Sequence, residues 1–333
     1  YELSNNGLYD RIQELEGDLV AGELGLSISS TKFGEYIVSG FSRYNQTHGA
    51  IRIYKLSEGL YQEFQTIQNP SIKQTSFTVD YFTTGDNTSN TENVVINGAS
   101  FGNSVSITPN GDYIVVTSNG DNLDTQDIVV QLNNSSNNYS NNRLFLANEY
   151  SETATDGNPY KFIIPQTSDI NKVYTVQYGC IHVFKLNKIT NQYELYGNKL
   201  DAPDPKLRDL RMGSNVNISE FGEYFIVANE NRDDIVGETG NILYGGTGNN
   251  QGRALIFKNN GTGFELFQEL KSPNATNNYY FGNSVRMSND YRYVIVGEFG
   301  NTGDRGKGYI FEMIDGSYSH IVTLSKDVID TFS

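Results

Sequence analysis

The chain has 333 residues, a formal net charge of −15, no tryptophan and a single cysteine, Cys180. These values exclude an internal disulfide framework, and without clustered Lys and Arg they argue against nucleic acid as a partner. No run of about 18 apolar residues occurs, so direct membrane insertion is not expected. Val, Ile, Leu, Tyr and Phe in short runs, together with 33 Gly, predict an all-β, loop-rich protein.

One supersecondary unit recurs along the chain. A Gly is followed eleven positions later by a Tyr that opens an apolar run, and another Gly precedes an aromatic residue by five positions. The first spacing occurs at Gly25 to Tyr36, Gly102 to Tyr113, Gly213 to Tyr224 and Gly282 to Tyr293, and the second at Gly49 to Tyr54, Gly179 to Phe184, Gly252 to Phe257 and Gly306 to Phe311. With a fourth strand opened by Tyr61, Tyr193, Phe264 or Tyr318, each unit has four antiparallel strands. Repeated four-stranded units predict a β-propeller; a β-sandwich is the alternative, but it gives no reason for such repetition.

The first sixteen residues resemble the second half of a unit. Tyr1 to Tyr9 matches Tyr54 to Tyr61 with one residue inserted. We therefore predict a half-blade at the start, followed by a blade beginning at Leu24. The chain begins with Tyr and has no signal peptide, so we expect it to be a processed or excised segment of a longer protein.

A long polar stretch at about 68–100 follows the first full blade and is predicted to be an insertion, of the length typical of functional or disordered loops. Tyr81 and Phe82 within it are candidate binding residues.

The blade that begins at Phe101 contains the clearest hairpin. Val105 and Ile107 alternate with serines, and Asn110-Gly111 predicts a tight turn with both residues at positive φ.

The stretch after Tyr113 has two interpretations. The sequence separation from Tyr113 to Gly179 exceeds the usual one by nearly a whole unit, so a degenerate blade could start at Phe162, with Asp127–Val130 and Arg143–Leu146 as outer strands of the preceding blade. The alternative is a long polar insertion at 122–160, favoured by the Asn- and Ser-rich run at 133–138.

Blades beginning at Met212 and Phe281 complete the series. Four clear blades, one degenerate blade and the half-blade predict a ring of about six or seven within a single domain spanning 1–333. A further first strand should begin just past Ser333, so the chain stops at a blade boundary. The remainder of the ring would come from 325–333 or from further sequence.

The segments Phe101-Gly102-Asn103-Ser104-Val105 and Phe281-Gly282-Asn283-Ser284-Val285, with third strands such as Gly179 to Phe184, resemble the FG-GAP repeat. This family builds the seven-bladed propeller of the integrin α-subunit head and occurs in bacterial, algal and viral surface proteins. The resemblance implies an extracellular or surface-exposed location, on a cell surface, in a matrix or on a virion. Eight N-glycosylation patterns permit that location.

Calcium-binding members of that family have an Asp-x-Asp-x-Asp-Gly type loop between the first two strands of a blade. None of the corresponding loops here has three carboxylates, so the metal role does not transfer. We expect no cofactor. Weak Ca²⁺ candidates remain in two acidic loops, at Asp121, Asp124 and Asp127 and at Asp233 and Asp234, although neither loop has a recognised ligand spacing and a solvated loop is the preferred interpretation.

No catalytic set is apparent in the sequence. His48, His182 and His320 lie far apart and have no partner motif. Many of the 23 Tyr, including Tyr36, Tyr113, Tyr224 and Tyr293, occupy repeat positions, whereas Tyr279 and Tyr280, just before a blade start, are freer to bind a partner.

We therefore predict a non-enzymatic surface or assembly protein whose propeller binds a protein partner or an assembly neighbour. A glycan-binding propeller is the alternative. An enzyme, with propeller-fold lyases and hydrolases as precedent for the architecture alone, is a third interpretation.

Overall fold

A computed structural model describes residues 2–3, 9–10, 13–17, 24–42, 48–70, 76–83, 88–95, 100–121, 128–133, 144–146, 161–164, 169–175, 178–201, 212–229, 252–273, 280–300 and 306–325. Within 2–10, 76–95, 119–121 and 128–178 it describes the backbone alone. All of the regular structure in these residues is β-strand.

The four clear repeats form four-stranded antiparallel sheets, which we number as blades 1 to 4 from the N-terminus. Their strands follow one another in sequence order from the inner to the outer edge. Blade 1 comprises β3 (Leu24–Ser30), β4 (Tyr36–Phe41), β5 (Ala50–Ser57) and β6 (Leu60–Gln68); blade 2 comprises β9 (Phe101–Ile107), β10 (Tyr113–Asp121), β15 (Tyr178–Asn187) and β16 (Gln192–Leu195), with β17 (Leu200–Asp201) also paired to β15; blade 3 comprises β18 (Met212–Ile218), β19 (Tyr224–Asn229), β20 (Arg253–Asn259) and β21 (Phe264–Leu270); blade 4 comprises β22 (Tyr280–Met287), β23 (Tyr293–Phe299), β24 (Lys307–Ile314) and β25 (Ser317–Leu324). The predicted class, an all-β propeller of four-stranded blades, is confirmed.

The N-terminal half-blade is the antiparallel pair β1 (Glu2–Leu3) and β2 (Tyr9–Asp10). Leu3 pairs with Tyr9 as Leu56 pairs with Tyr61 in the outer half of blade 1, which is the register that the sequence match predicts. Gln13, four residues after Tyr9, donates to the carbonyl of Tyr61 at 2.8 Å and accepts from its N–H at 2.7 Å.

The same contact recurs between later blades. Gln65 bonds both backbone groups of Tyr193, and Gln268 bonds both backbone groups of Tyr318. Gln13 therefore occupies the outer-strand position of a blade that precedes blade 1.

The prediction of a degenerate blade that begins at Phe162 is wrong. Tyr113 to Ser118 of β10 pairs continuously with Cys180 to Lys185 of β15, so the strand after Gly179 is the third strand of blade 2. Continuous backbone pairing in blade 2 leaves no edge of β15 for another inner strand.

The intervening residues form separate sheets, as the insertion interpretation requires. One contains β12 (Leu144–Leu146), β11 (Ile128–Asn133) and β14 (Asp169–Thr175); the other contains β13 (Lys161–Ile164), β7 (Ser76–Thr83) and β8 (Thr88–Val95). The predicted outer strands β11 and β12 do pair with each other, but β11 also pairs with β14.

In the turn between the first two strands of each blade, a Thr or Ser hydroxyl accepts a hydrogen bond from the backbone N–H of the tyrosine that begins the second strand. In blade 2 the N–H of Tyr113 donates to Thr108 Oγ1 at 3.0 Å, and the same bond joins Tyr36 to Thr31, Tyr224 to Ser219 and Tyr293 to Ser288. Gly111 has a φ of 77°, but Asn110 is not in the left-handed region, so the prediction of positive φ at both positions is wrong. The Asn110 side chain instead accepts from the N–H of Asp112 at 3.0 Å, which stabilises the turn without that geometry.

Apolar residues fill each space between consecutive blades. Val105 and Ile107 of blade 2 pack on Val38 and Ile53 of blade 1. The equivalent residues of blade 3, Val216 and Ile218, pack on blade 2, and those of blade 4, Val285 and Met287, pack on blade 3. Burial of each of these side chains stabilises the contact between consecutive blades by roughly 1.5–3 kcal/mol.

Polar residues of the inner strands bond the next blade. The N–H of Ile107 donates to Ser29 Oγ, and the N–H groups of Val216 and Ile218 donate to Ser104 and Ser106. Asn215 and Asn217 accept from Val285 and Met287 in the same way. The alternation of small polar and branched apolar residues thus serves two adjacent blades.

Candidate interaction face

The two ends of the blades are different. At one end, which we call the turn face, tight turns such as 108–112 and 219–223 connect the strands. At the other end, which we call the insertion face, the second and third strands of each blade and the successive blades are joined. All the longer connections, including 69–100, 122–177 and 230–252, therefore leave the sheets at the insertion face. Such connections on a rigid scaffold are where binding residues concentrate.

Tyr280, one of the predicted binding residues, lies on this face at the start of β22. It pairs with Phe299 at the end of β23, and the two ring centroids are 6.1 Å apart. Tyr280 is half-buried, whereas Phe299 is 61% exposed. The two rings form an accessible aromatic platform beside the connections 274–279 and 301–305. Sequence reasoning missed Phe299; its signal was an aromatic residue just past the end of an apolar second strand.

A buried carboxylate lies next to this platform. Glu298 is 4% exposed, and its oxygens accept from Ser272 Oγ at 2.6 Å and from the hydroxyl of Tyr309 at 2.9 Å. Two hydroxyl donors satisfy the carboxylate, and this fixes the end of β23 and hence Phe299. The group is therefore a structural support for the platform.

The corresponding positions of blades 2 and 3 are also polar and buried, whereas blade 1 has the apolar Phe41 there. Ser118 in blade 2 and Asn229 in blade 3 stand five residues after the tyrosine that recurs in each repeat, as Glu298 does in blade 4. The hydroxyl of Ser118 and both amide atoms of Asn229 have no hydrogen-bond partner in the described residues. Buried polar atoms of this kind usually bind water or a ligand group.

The other predicted binding residues are only partly described. Tyr81 and Phe82 lie on β7, where they pair with Phe162 and Ile163 of β13. Tyr279 lies outside the described residues. β7 and β13 belong to the two different insertions, so the structure joins these insertions in one sheet.

The Ca²⁺ candidates are not brought together in the part of the chain that can be described. Asp121 ends β10 and pairs with Tyr178, whereas Asp124, Asp127, Asp233 and Asp234 lie outside the described residues. Among the described residues no group of three His, Cys, Asp or Glu side chains could hold a metal ion.

The three histidines occupy different blades. His48 and His182 are buried in blades 1 and 2, and the His182 ring packs edge-on against Phe101 at 5.5 Å. His320 in blade 4 has its Nε2 3.0 Å from Thr323 Oγ1.

Among the described residues, no helix is long and apolar enough to cross a membrane.

Several solved structures are similar to this chain over most of its length. A protein from Lactobacillus plantarum is 12% identical, with a TM-score of 0.36 and coverage of 93% of this chain and 73% of that one. A structure described for two prolyl endopeptidases is 9% identical, with a TM-score of 0.36 and coverage of 91% and 29%, respectively. A putative TolB from Agrobacterium tumefaciens is 11% identical, with a TM-score of 0.27 and coverage of 90% and 80%.

No known family model matches the chain, and no curated protein matches it. At these identities and TM-scores the similar structures assign neither a family nor an activity.

Proposed function

We propose that the chain is a non-enzymatic propeller scaffold that binds a protein partner through its insertion face. The observation that supports this most is the placement of all the longer connections, together with the Tyr280–Phe299 platform, at the same end of the blades. Exposed aromatic rings on a rigid support are typical of the residues that dominate protein interfaces. The blades supply rigidity, and the connections supply the contact residues.

The resemblance of the inner strands to the FG-GAP repeat supports the same function. It also supports a location at a cell surface, in a matrix or on a virion. In this proposal the four hydroxyl-closed turns are structural, because they lack the acidic ligand set of the calcium-binding family members.

The test compares matched aromatic substitutions on the two faces. Phe299→Ala with Tyr280→Ala removes the platform, and Phe33→Ala with Phe221→Ala removes two rings that are 80% and 62% exposed on the turn face. Each purified, labelled protein is incubated with extract from the source organism, and bound proteins are quantified by mass spectrometry and then purified for direct titration. We expect the platform variant to lose a partner that the wild type and the turn-face variant retain, with affinity lower by at least about tenfold. Loss in the turn-face variant alone would overturn the proposal.

A glycan-binding function is the second candidate, favoured by the platform itself. An aromatic ring next to hydrogen-bonding side chains is suited to stack on a sugar ring. A glycan array probed with wild type and with Phe299→Ala distinguishes this function, because only a glycan whose binding depends on Phe299 supports it.

A further inference from the structure

Two asparagines that begin an N-glycosylation pattern lie among the residues whose side chains the structure describes. Asn260 begins Asn260-Gly261-Thr262, in the turn that joins β20 to β21 on the turn face of blade 3. Asn217 begins Asn217-Ile218-Ser219, at the end of the inner strand β18. A glycan is attached through the side-chain amide nitrogen, so the pattern suits a folded protein only where that amide lies at the surface.

The pattern that begins at Asn260 is at the surface. Asn260, Gly261 and Thr262 are all exposed. Gly261 has a φ of 94°, and a Cβ built on it would meet no described atom within 4 Å outside its chain neighbours. The next residue, Gly263, is buried, and a Cβ on it would lie 3.2 Å from the Cα of Gly197 in blade 2. Gly263 therefore anchors the turn, and the pattern itself has open space beside it.

The side-chain oxygen of Asn260 holds this turn together. Oδ1 accepts from the N–H of Thr262 at 3.1 Å, from the Thr262 hydroxyl at 3.0 Å and from the N–H of Gly263 at 3.0 Å. Nδ2 lies 3.5 Å from Glu265 Oε2, which is a long and weak contact. A glycosylated amide keeps one N–H, so this contact is compatible with the modification. The bonds that close the turn thus leave the nitrogen that would carry the glycan unused.

The Asn217 side chain has the opposite setting, because it is used in the contact between blades 3 and 4. It is half-buried, and its Oδ1 accepts from the N–H of Met287 at 2.8 Å. Ser219, the third residue of its pattern, is fully buried, and its Oγ accepts from the N–H groups of Glu223 and Tyr224. A glycan on Asn217 would occupy the place where β22 packs. The chain therefore contains one accessible pattern and one that folding blocks.

We propose that Asn260 is an N-glycosylation acceptor site of this protein and that Asn217 is not. In the transfer, Asn260 Nδ2 forms a bond to the anomeric carbon of a lipid-diphosphate-linked oligosaccharide. The bond from that carbon to the diphosphate oxygen breaks, the diphosphate keeps the electron pair, and the nitrogen loses one proton. The inference rests on the surface or extracellular location in the proposed function. The glycan would stand on the turn face, which leaves the insertion face free for its partner.

The test maps the modified asparagines of the whole 333-residue chain, secreted from cultured eukaryotic cells behind a cleavable signal sequence. Peptide N-glycosidase in heavy-oxygen water converts each glycosylated Asn to a labelled Asp, which mass spectrometry locates. We expect label at residue 260 and none at residue 217 in the folded, secreted protein. A sample incubated without the enzyme corrects for spontaneous deamidation at Asn260-Gly261.

Two matched substitutions tie the label to the pattern. Thr262→Ala should abolish the label at residue 260 and increase electrophoretic mobility, because the required hydroxyl is removed. Thr262→Ser keeps a hydroxyl and should retain the label. Circular dichroism verifies that the secreted variants are folded. If Thr262→Ala is not secreted, the label maps of the wild type and of Thr262→Ser decide the question.

The proposal is overturned if residue 260 is unlabelled in the wild type, whether or not other patterns are labelled. Label at residue 217 in the folded protein would also overturn it, since the contact between blades would then not block modification. Neither result affects the proposed partner binding, which is measured by substitution of Tyr280 and Phe299. Conversely, partner binding that survives loss of the platform would reject the proposed function without changing the label at residue 260.

Discussion

Blade 4 has two faces built from the same strands, and their difference shows what the inter-blade contacts contribute. On the face toward blade 3, Val294, Val296 and Tyr309 are buried against the neighbouring sheet. On the opposite face, Tyr293 and Ile295 from the same strand remain partly exposed. The residues of both faces belong to the same strand, which is hydrogen-bonded on both edges. Backbone hydrogen bonding alone therefore does not bury Tyr293 and Ile295. Among the described residues, each of the three buried apolar clusters lies between two consecutive blades.

The largest expected effect comes from the glycines of the inner strands. Gly102 and Gly25 have φ values of 90° and 92°, but a Cβ on Gly102 would lie 2.4 Å from the carbonyl oxygen of Ala50, whereas one on Gly25 would meet only Ile28 at 3.9 Å. Gly102→Ala should therefore cost about 3 kcal/mol or more, and Gly25→Ala about 1–2 kcal/mol from backbone strain alone. Urea unfolding measures both. Equal losses would show that the approach of the blades is unimportant.

The next largest effect compares two isoleucines at one repeat position. Ile226 is buried between blades 3 and 4, whereas Ile295, on the face of blade 4 opposite blade 3, is 39% exposed. Ile226→Ala should lower the free energy of unfolding by about 2–4 kcal/mol, and Ile295→Ala by less than about 1 kcal/mol. A large loss at Ile295 would mean that this face of blade 4 is covered in solution by the chain itself.

A smaller effect is expected from the glutamine contact on the covered side of blade 4. Gln268 donates to the carbonyl of Tyr318 at 2.9 Å and accepts from its N–H at 2.7 Å. Gln268→Ala removes both bonds and should cost about 1–2 kcal/mol. Gln62→Ala, on an exposed position of β6, is the control and should change stability by less than about 0.5 kcal/mol. If the two substitutions have similar effects, the recurring glutamine contact does not stabilise the contact between blades.

The smallest effect concerns pH. Burial between blades 1 and 2 raises the pKa of the Tyr193 phenol above its ordinary value of 10.0. The unfolded chain then releases this proton at lower pH than the folded chain, so the stabilisation is complete below pH 10 and is lost as pH rises above it. One such phenol changes stability by at most about 1.4 kcal/mol per pH unit.

Tyr193→Phe tests this cause. The substitution removes the bond from the hydroxyl to the Gly111 carbonyl, 2.6 Å long, and should cost about 1 kcal/mol at neutral pH. Above pH 10 its stability should fall less steeply than that of the wild type, as measured by Tm against pH. An identical slope for the two proteins would exclude Tyr193 as a contributor.

The parts of this fold that the sequence predicts are those whose contacts join residues close together in the chain. The four hairpins and the outer half-blade follow from local features: glycine spacing, alternation of Val and Ser, and a recurring Tyr. The register of β1 with β2 was predictable because it copies that of β5 with β6. The turn at Asn110 was misjudged, since a hydroxyl three positions before Gly111 decides its geometry.

The candidate face was only partly predictable. Tyr280 was identified from its place before a blade start, but Phe299 was not, because an aromatic residue at a strand end has no distinctive local signal. Their contact depends on the pairing of β22 with β23 at the end remote from the tight turn.

The sequence by itself determined that this chain is built from repeated four-stranded units, because each unit encodes its own strands and turns within a short stretch. Only the tertiary structure decided that β10 pairs with β15 across the insertion, and that Val294 and Val296 are buried against blade 3. The physical reason is that pairing and burial are settled between residues far apart in sequence. Similar apolar alternation permits several partners, and only the complete packing selects among them.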